Sequence, residues 1–147
     1  MYQLLAMGYT KPDWKFMNYG FTPQNPSHTP TLLTKDEINR YCIQLYHHVA
    51  NAVELKGRDV LEVGSGRGGG ADYIKRYLRP ASMVGVDFSE KAIELCEQHY
   101  NVDGLSFKLG DAENLPFNDQ SFDVVVNVES SHCYGSMDNF LAEVNRV

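Results

Sequence analysis

Basic residues are scarce: 13 lysines and arginines stand against 19 aspartates and glutamates, a formal net charge of −6. A chain so balanced does not hold nucleic acid by neutralising phosphates, nor an anionic membrane by a basic patch. Cysteine is scarce too. Cys42, Cys96 and Cys133 make no CxxC pair, which excludes a disulfide framework and a zinc knuckle and points to a reduced, cytoplasmic setting. No apolar run approaches the ~20 residues that span a bilayer. Met1–Met7 lacks both the basic start and the apolar length of a signal peptide. Internal repeats and low-complexity segments are absent as well. What remains is a globular composition, 43% hydrophobic and 22% charged over 147 residues, enough for one domain with one core.

Residues 1–33 differ from the rest. They hold Pro12, Pro23, Pro26 and Pro30 among the aromatics Tyr2, Tyr9, Trp14, Phe16, Tyr19 and Phe21. Proline at that density forbids a long helix, yet so much aromatic surface needs something to pack on. The segment reads as an irregular arm, covering either ordinary core or a substrate site as a lid. Residues 34–147 read as the main domain. Thr34 and Glu37 have capping-box spacing. Ile38, Tyr41, Cys42, Leu45, Tyr46, Val49, Ala52 and Val53 then recur at helical spacing, predicting a helix over about 35–53 with that face buried.

From Asp59 the pattern alternates. Strands are predicted at Asp59–Val63, Met83–Val86, Leu105–Leu109 and Phe122–Val128, the last apolar enough for burial on both faces. Helices are predicted at Ala71–Leu78, after Ser89 as N-cap, and from Met137 to Val147. Strands alternating with helices imply an α/β fold: a doubly wound, mostly parallel, Rossmann-like sheet. The final helix should feed a fifth strand. Four strands alone would leave the fourth at an exposed edge, so the expectation is a fold truncated after the fourth strand and its helix, or an edge covered by a second copy of the chain.

Chemistry concentrates at the strand ends. Glu62-Val-Gly-Ser-Gly-Arg-Gly-Gly-Gly70 closes the first strand and opens a helix. Gly64, Gly66 and Gly69 fit GxGxxG, a weak dinucleotide signal. Gly64, Gly66 and Gly68 with Glu62 fit ExGxGxG, the S-adenosylmethionine pattern. The loop alone does not choose. Glu62 favours the second, because a carboxylate there can meet a methionine ammonium and nicotinamide cofactors bring none. Asp87, ending the second strand, can accept both hydroxyls of a ribose and serves either cofactor. Gly110-Asp-Ala-Glu-Asn-Leu-Pro-Phe117 follows the third strand; Asp111 can accept from an adenine amino group, the Ala112 N–H can face a ring nitrogen, and Leu115 and Phe117 can supply apolar surface.

These three motifs together resemble those of a class I S-adenosylmethionine-dependent methyltransferase. More narrowly, Asp111–Phe117, Ser121–Tyr134 and Leu141–Val147 are similar to the phthiotriol/phenolphthiotriol dimycocerosate O-methyltransferases and related natural-product enzymes. The resemblance implies an enzyme that takes S-adenosyl-L-methionine as cofactor and methylates a small lipid-like or polyketide hydroxyl substrate. It implies cofactor contacts at Glu62, Gly64, Ser65, Gly66, Gly68, Asp87, Phe88, Asp111, Ala112, Glu113 and Asn127, and an aromatic entry segment in which Tyr19 faces the sulfonium. No metal set stands out. His132, after the fourth strand, is the candidate general base, with Glu129 as its orienter or a second polar contact; the plainer alternative makes them a hydrogen-bonded structural histidine and a loop-ordering acid. His47 and His48 read as packing or surface residues. Two other functions stay open on sequence: a nicotinamide-dependent oxidoreductase using GxGxxG, and a non-catalytic nucleoside-binding fragment or partner subunit.

Overall fold

The computed structural model describes residues 14–147. The first part of the arm, with Tyr2, Tyr9 and Pro12, lies outside the described residues. Four parallel strands form one sheet: β1 (Asp59–Val63), β2 (Ser82–Asp87), β3 (Leu105–Leu109) and β4 (Val124–Val126), in the order β3-β2-β1-β4. Among the described residues four α-helices accompany it: α1 (Arg40–Ala50), α2 (Gly69–Tyr73), α3 (Glu90–His99) and α4 (Met137–Arg146). α2 runs on as a wider π turn over Ile74–Leu78 and stops at Arg79, in the left-handed region at φ 56°. This is the α/β, Rossmann-like architecture that the alternating pattern implies.

Side chains on β1 alternate between two cores. Val60 faces a cluster with Ile43, Tyr46, Ala71 and Ile74. Leu61 and Val63 face another with Val86, Leu115 and Phe140. Glu62 shares the face of Val60, so the pleat delivers a carboxylate into the apolar layer under α1. Ser89 caps α3 by accepting the Ala92 N–H at 3.3 Å.

Two elements depart from the sequence reading. The helix over 35–53 is instead a 3₁₀ turn, Thr34–Asn39, followed by α1. Thr34 caps nothing, since the N-cap position falls on Leu33 without a side-chain bond. The tighter turn, with three residues per winding, shifts the phase of everything before α1. Its anchor is polar: buried Asp36 accepts two bonds from Arg76, the shorter 2.8 Å, and one from the Tyr77 hydroxyl at 2.6 Å. Ile38 and Tyr41 are consequently exposed, and Ile43, Gln44, Tyr46 and Ala50 are the buried residues of α1. The fourth strand is the second departure, pairing over Val124–Val126 alone. It lies at the sheet edge, so Val126 is buried while Val124 and Val125 are half-buried. Past it, Asn127 turns out of the ladder to bond across to β1.

Candidate functional site

A cleft of about 770 Å³ opens at the carboxyl ends of the strands, where open α/β sheets place their ligands. Its walls are the glycine loop after β1, the turns after β2 and β3, and the turn after β4. Arm residues 15–19 cross its mouth.

The glycine loop is built by backbone necessity. Gly64, Gly66 and Gly68 all have positive φ, at 78°, 52° and 78°, a region L side chains rarely adopt. The Gly64 and Ser65 N–H groups donate to the Val86 carbonyl at 2.8 and 3.0 Å, stitching the loop to β2. A Cβ on Gly64 would stand 2.2 Å from Ser130 Oγ, so glycine here lets the turn after β4 come close. Gly68 does not line the cleft: it caps α2 against Tyr100, Cys96 and Phe107.

Asp87 lines the cleft and also fixes it. One carboxylate oxygen accepts the Gly66 N–H at 2.7 Å and the other the Ser89 N–H at 2.9 Å. Phe88 beside it is 71% exposed along the same wall. Asp111 accepts the Glu113 N–H at 2.9 Å, and Ala112 is buried at the cleft floor. Glu113 accepts the Gly135 N–H at 2.6 Å, joining the third motif to the turn after β4. Leu115 and Phe117, expected to add apolar surface to the site, do not line it. Leu115 is buried in the core with Phe140, and Phe117 packs edge-on against Phe122. The turn of Asp111–Asn114 redirects the chain under the sheet before either side chain can reach the cleft.

Glu62 lies behind the wall and is fully buried. The Tyr46 hydroxyl donates to its Oε1 at 2.7 Å, and Oε2 has no hydrogen-bond partner. Burial pushes the carboxyl up to about 8; the Tyr46 bond opposes that rise, the nearby Asp87 charge adds to it, and the Ala71 N–H, close to the carboxyl but outside hydrogen-bond geometry, lowers it slightly. Ser65 Oγ, buried on the cleft wall, is likewise unpartnered. Buried polar atoms are almost always satisfied. Two such atoms at the head of one glycine loop leave hydrogen-bonding capacity unused there.

After β4, Asn127 does not line the cleft. Its amide donates to the Val63 carbonyl at 2.9 Å, to Ser130 Oγ at 2.8 Å and to the Tyr134 hydroxyl at 2.9 Å, tying the turn to β1. Glu129 and His132 do line it. Glu129 sits at φ 51°, and its carboxylate accepts the Tyr19 backbone N–H at 2.9 Å. His132 lies exposed on the 3₁₀ turn Ser131–Cys133. Tyr19 itself is 98% exposed at the mouth. His47 bonds the Tyr73 hydroxyl at 2.7 Å and His48 stacks on Phe21, packing roles both. All three cysteines are free thiols. Among the described residues no group of three or more His, Cys, Asp or Glu side chains is arranged to hold a metal ion.

Residues 61–147 match a family model described as a methyltransferase domain. The chain belongs to that methyltransferase family. It is 49% identical over 146 residues to the phthiotriol/phenolphthiotriol dimycocerosates methyltransferase of Mycobacterium tuberculosis, covering 99% of this chain and 54% of that one. It is 50% identical over 135 residues to the fatty-acid O-methyltransferase of Mycolicibacterium smegmatis, covering 92% and 49%. The fold is also that of geranyl diphosphate C-methyltransferase from Streptomyces coelicolor, crystallised with Mg2+, geranyl diphosphate and S-adenosyl-L-homocysteine. There the TM-score is 0.72 at 18% identity, over 99% of this chain and 60% of that one. The chain thus spans about half the length of the curated relatives it matches. Nothing in these comparisons favours the nicotinamide or non-catalytic readings.

Within this methyltransferase domain, two site features were invisible in the linear pattern. Tyr46 reads in sequence as one more apolar position of α1, yet it is the donor to Glu62. The signal available was its hydroxyl, which needs a partner once buried. Arg67, inside the glycine motif, donates to the Trp14 carbonyl at 2.6 Å and lies 4.8 Å from the centre of its ring. No local spacing predicts that contact.

Proposed function

We propose that the chain binds S-adenosyl-L-methionine in this cleft and is the cofactor-binding part of an enzyme that methylates a hydroxyl of a lipid-like or polyketide molecule. The observation that carries the reading is the buried Glu62 carboxyl with one unpartnered oxygen at the head of the glycine loop. A methionine ammonium, acting directly or through a water, gives that oxygen a charged partner; a nicotinamide dinucleotide brings only neutral donors. When bound, the cofactor supplies a methyl group already activated by its sulfonium.

The chain's own residues then divide the work. Glu62 and Ser65 receive the amino-acid end, with Gly64 and Gly66 letting the backbone come close. Asp87 accepts from the ribose hydroxyls with the lone pairs its two backbone donors leave free. Phe88, Asp111 and Ala112 surround the base, and Glu113 braces them. Gly68 and Asn127 act at one remove, as packing and cross-link. His132 takes the hydroxyl proton as the acceptor oxygen attacks; a positioned base gives about 10²–10⁴-fold. In-line transfer asks little else of the protein than alignment and exclusion of water.

Supporting the acceptor class are the names of the relatives, one for phthiotriol and phenolphthiotriol dimycocerosates and one for fatty acids. The division into an arm, 1–33, and a main domain, 34–147, belongs to this reading, with the arm as lid. Among the described residues no helix is long and apolar enough to cross a membrane; a cytoplasmic enzyme completes the proposal. Thermal unfolding tests its core. S-Adenosylhomocysteine should raise the melting temperature of the wild type and leave Glu62→Gln unmoved, while NADH moves neither. Stabilisation by NADH alone overturns it.

A further inference from the structure

The described part of the arm is fastened at both lips of the cleft. On the glycine-loop side it holds by several contacts: Arg67 to the Trp14 carbonyl, Gly69 N–H to the Lys15 carbonyl at 3.2 Å, and buried Phe16 against Tyr46, ring centres 5.8 Å apart. Beyond the crossing it is pinned to α1, where Asn18 donates to the Cys42 carbonyl at 3.2 Å and Phe21 N–H to the Tyr41 carbonyl at 2.9 Å. Between Asn18 and Phe21 the arm also reaches the turn after β4, Tyr19 N–H donating to Glu129 Oε2 at 2.9 Å. That bond joins residues 110 positions apart in the chain.

We propose that Glu129 is a positioning residue, a latch that draws the arm shut over the cleft and sets how long a nucleoside ligand stays. Its carboxylate acts through the Tyr19 backbone rather than on the acceptor or on His132. Two features support this over an acid–base role. The carboxylate is already committed to a backbone donor in the arm. And the residue holds a left-handed backbone, φ 51°, as Arg79 and Gln120 also do, which sets the direction its side chain takes from the turn. Closing the arm also carries the Tyr19 ring, which has no packing of its own, to the mouth. The identity of the ligand rests on the function proposed above; the latch does not.

Amide hydrogen exchange of the unliganded full chain tests the latch directly. The Tyr19 N–H should exchange about ten- to a hundredfold faster in Glu129→Ala, the scale of losing one charge-assisted bond. Glu129→Gln keeps a carbonyl acceptor and the same left-handed backbone problem, so it should restore slow exchange. The Gly69 and Phe21 N–H groups report whether the arm's other anchors, and the fold, survive. The consequence is read by S-adenosylhomocysteine dissociation, followed in stopped flow through Trp14, the single tryptophan. Release should quicken by a similar factor in Glu129→Ala and return towards wild type in Glu129→Gln. Unchanged Tyr19 exchange in Glu129→Ala overturns the latch, as does equal loss of turnover in both variants with wild-type exchange and release. If the wild type binds no S-adenosylhomocysteine, the cofactor reading fails while the exchange experiment still decides the latch.

Discussion

The two lips of the cleft are built on opposite plans. On the lip formed by β1, β2 and the glycine loop, consecutive backbone N–H groups do most of the holding: Gly64 and Ser65 donate to the Val86 carbonyl, Gly66 and Ser89 donate to the Asp87 carboxylate, and Gly70 lets the Tyr46 ring lie against α2. On the lip after β4, a three-residue strand gives way to a turn held by side chains: Asn127, Ser130 and Tyr134 to one another, Glu113 to Gly135, Glu129 to the arm. A backbone-built lip is rigid and tolerates little. A side-chain-built lip can open, and its residues can change without unfolding the domain. The first suits a ligand whose nucleoside and amino-acid ends never vary, the second an acceptor that does.

That contrast makes graded predictions. His132→Ala, on the side-chain-built lip, should cut turnover by about 10²–10⁴-fold while changing S-adenosylhomocysteine affinity less than threefold, a ratio of effects that full kinetics and calorimetry together measure. Equal losses in both would make the histidine structural. Gly70→Ala strikes the rigid lip, because its Cβ would stand 2.0 Å from the Tyr46 ring. Overpacking of this kind costs about 3 kcal/mol, a fall of roughly 10 °C in melting temperature; a fall of only a degree or two would show that α1 slides easily and blur the comparison. Asp87→Ala should weaken S-adenosylhomocysteine binding by about 10- to 100-fold in a domain that still unfolds cooperatively; unchanged affinity removes Asp87 from the site.

A pH effect is the most diagnostic of burial. Glu62 is held neutral in the folded chain by desolvation, its carboxyl pushed up to about 8 from an ordinary 4.5. The folded state therefore binds the proton more tightly than the unfolded state does. Stability should fall as pH climbs from about 4.5 to about 8, and Glu62→Gln should flatten that part of the profile in urea titrations. Identical slopes would mean the carboxyl is hydrated after all.

The same contrast explains what could be read from the chain. Features that depend on backbone conformation leave local marks: glycines at positive φ, Glu62 two residues ahead of them, Asp87 at a strand end, Ser89 as a cap. These were legible, as was the α/β alternation. Features that depend on distant side chains leave none. Nothing near Thr34 announces that Asp36 will bury itself against Arg76 and recast the first helix as a 3₁₀ turn. Nothing in Leu115-Pro-Phe117 shows that the turn carries both apolar residues beneath the sheet. Glu129 and His132 were singled out by position, but Tyr19 as the acid's partner is 110 residues away in sequence. The apolar run Phe122–Val128 has the composition of a fully buried strand, yet it pairs over Val124–Val126 alone, and Asn127 leaves the ladder to bond the Val63 carbonyl through its side chain.

The central claim is that a buried, neutral Glu62 waits for an ammonium at the head of a prebuilt loop. Calorimetric titration with S-adenosylhomocysteine at pH 7, repeated in buffers of different ionisation enthalpy, tests it most directly. Micromolar binding accompanied by release of about one proton is predicted, because an ammonium beside Glu62 ionises a carboxyl that was protonated. The release should vanish in Glu62→Gln. Binding without proton release, or binding of NADH in place of S-adenosylhomocysteine, would contradict the account.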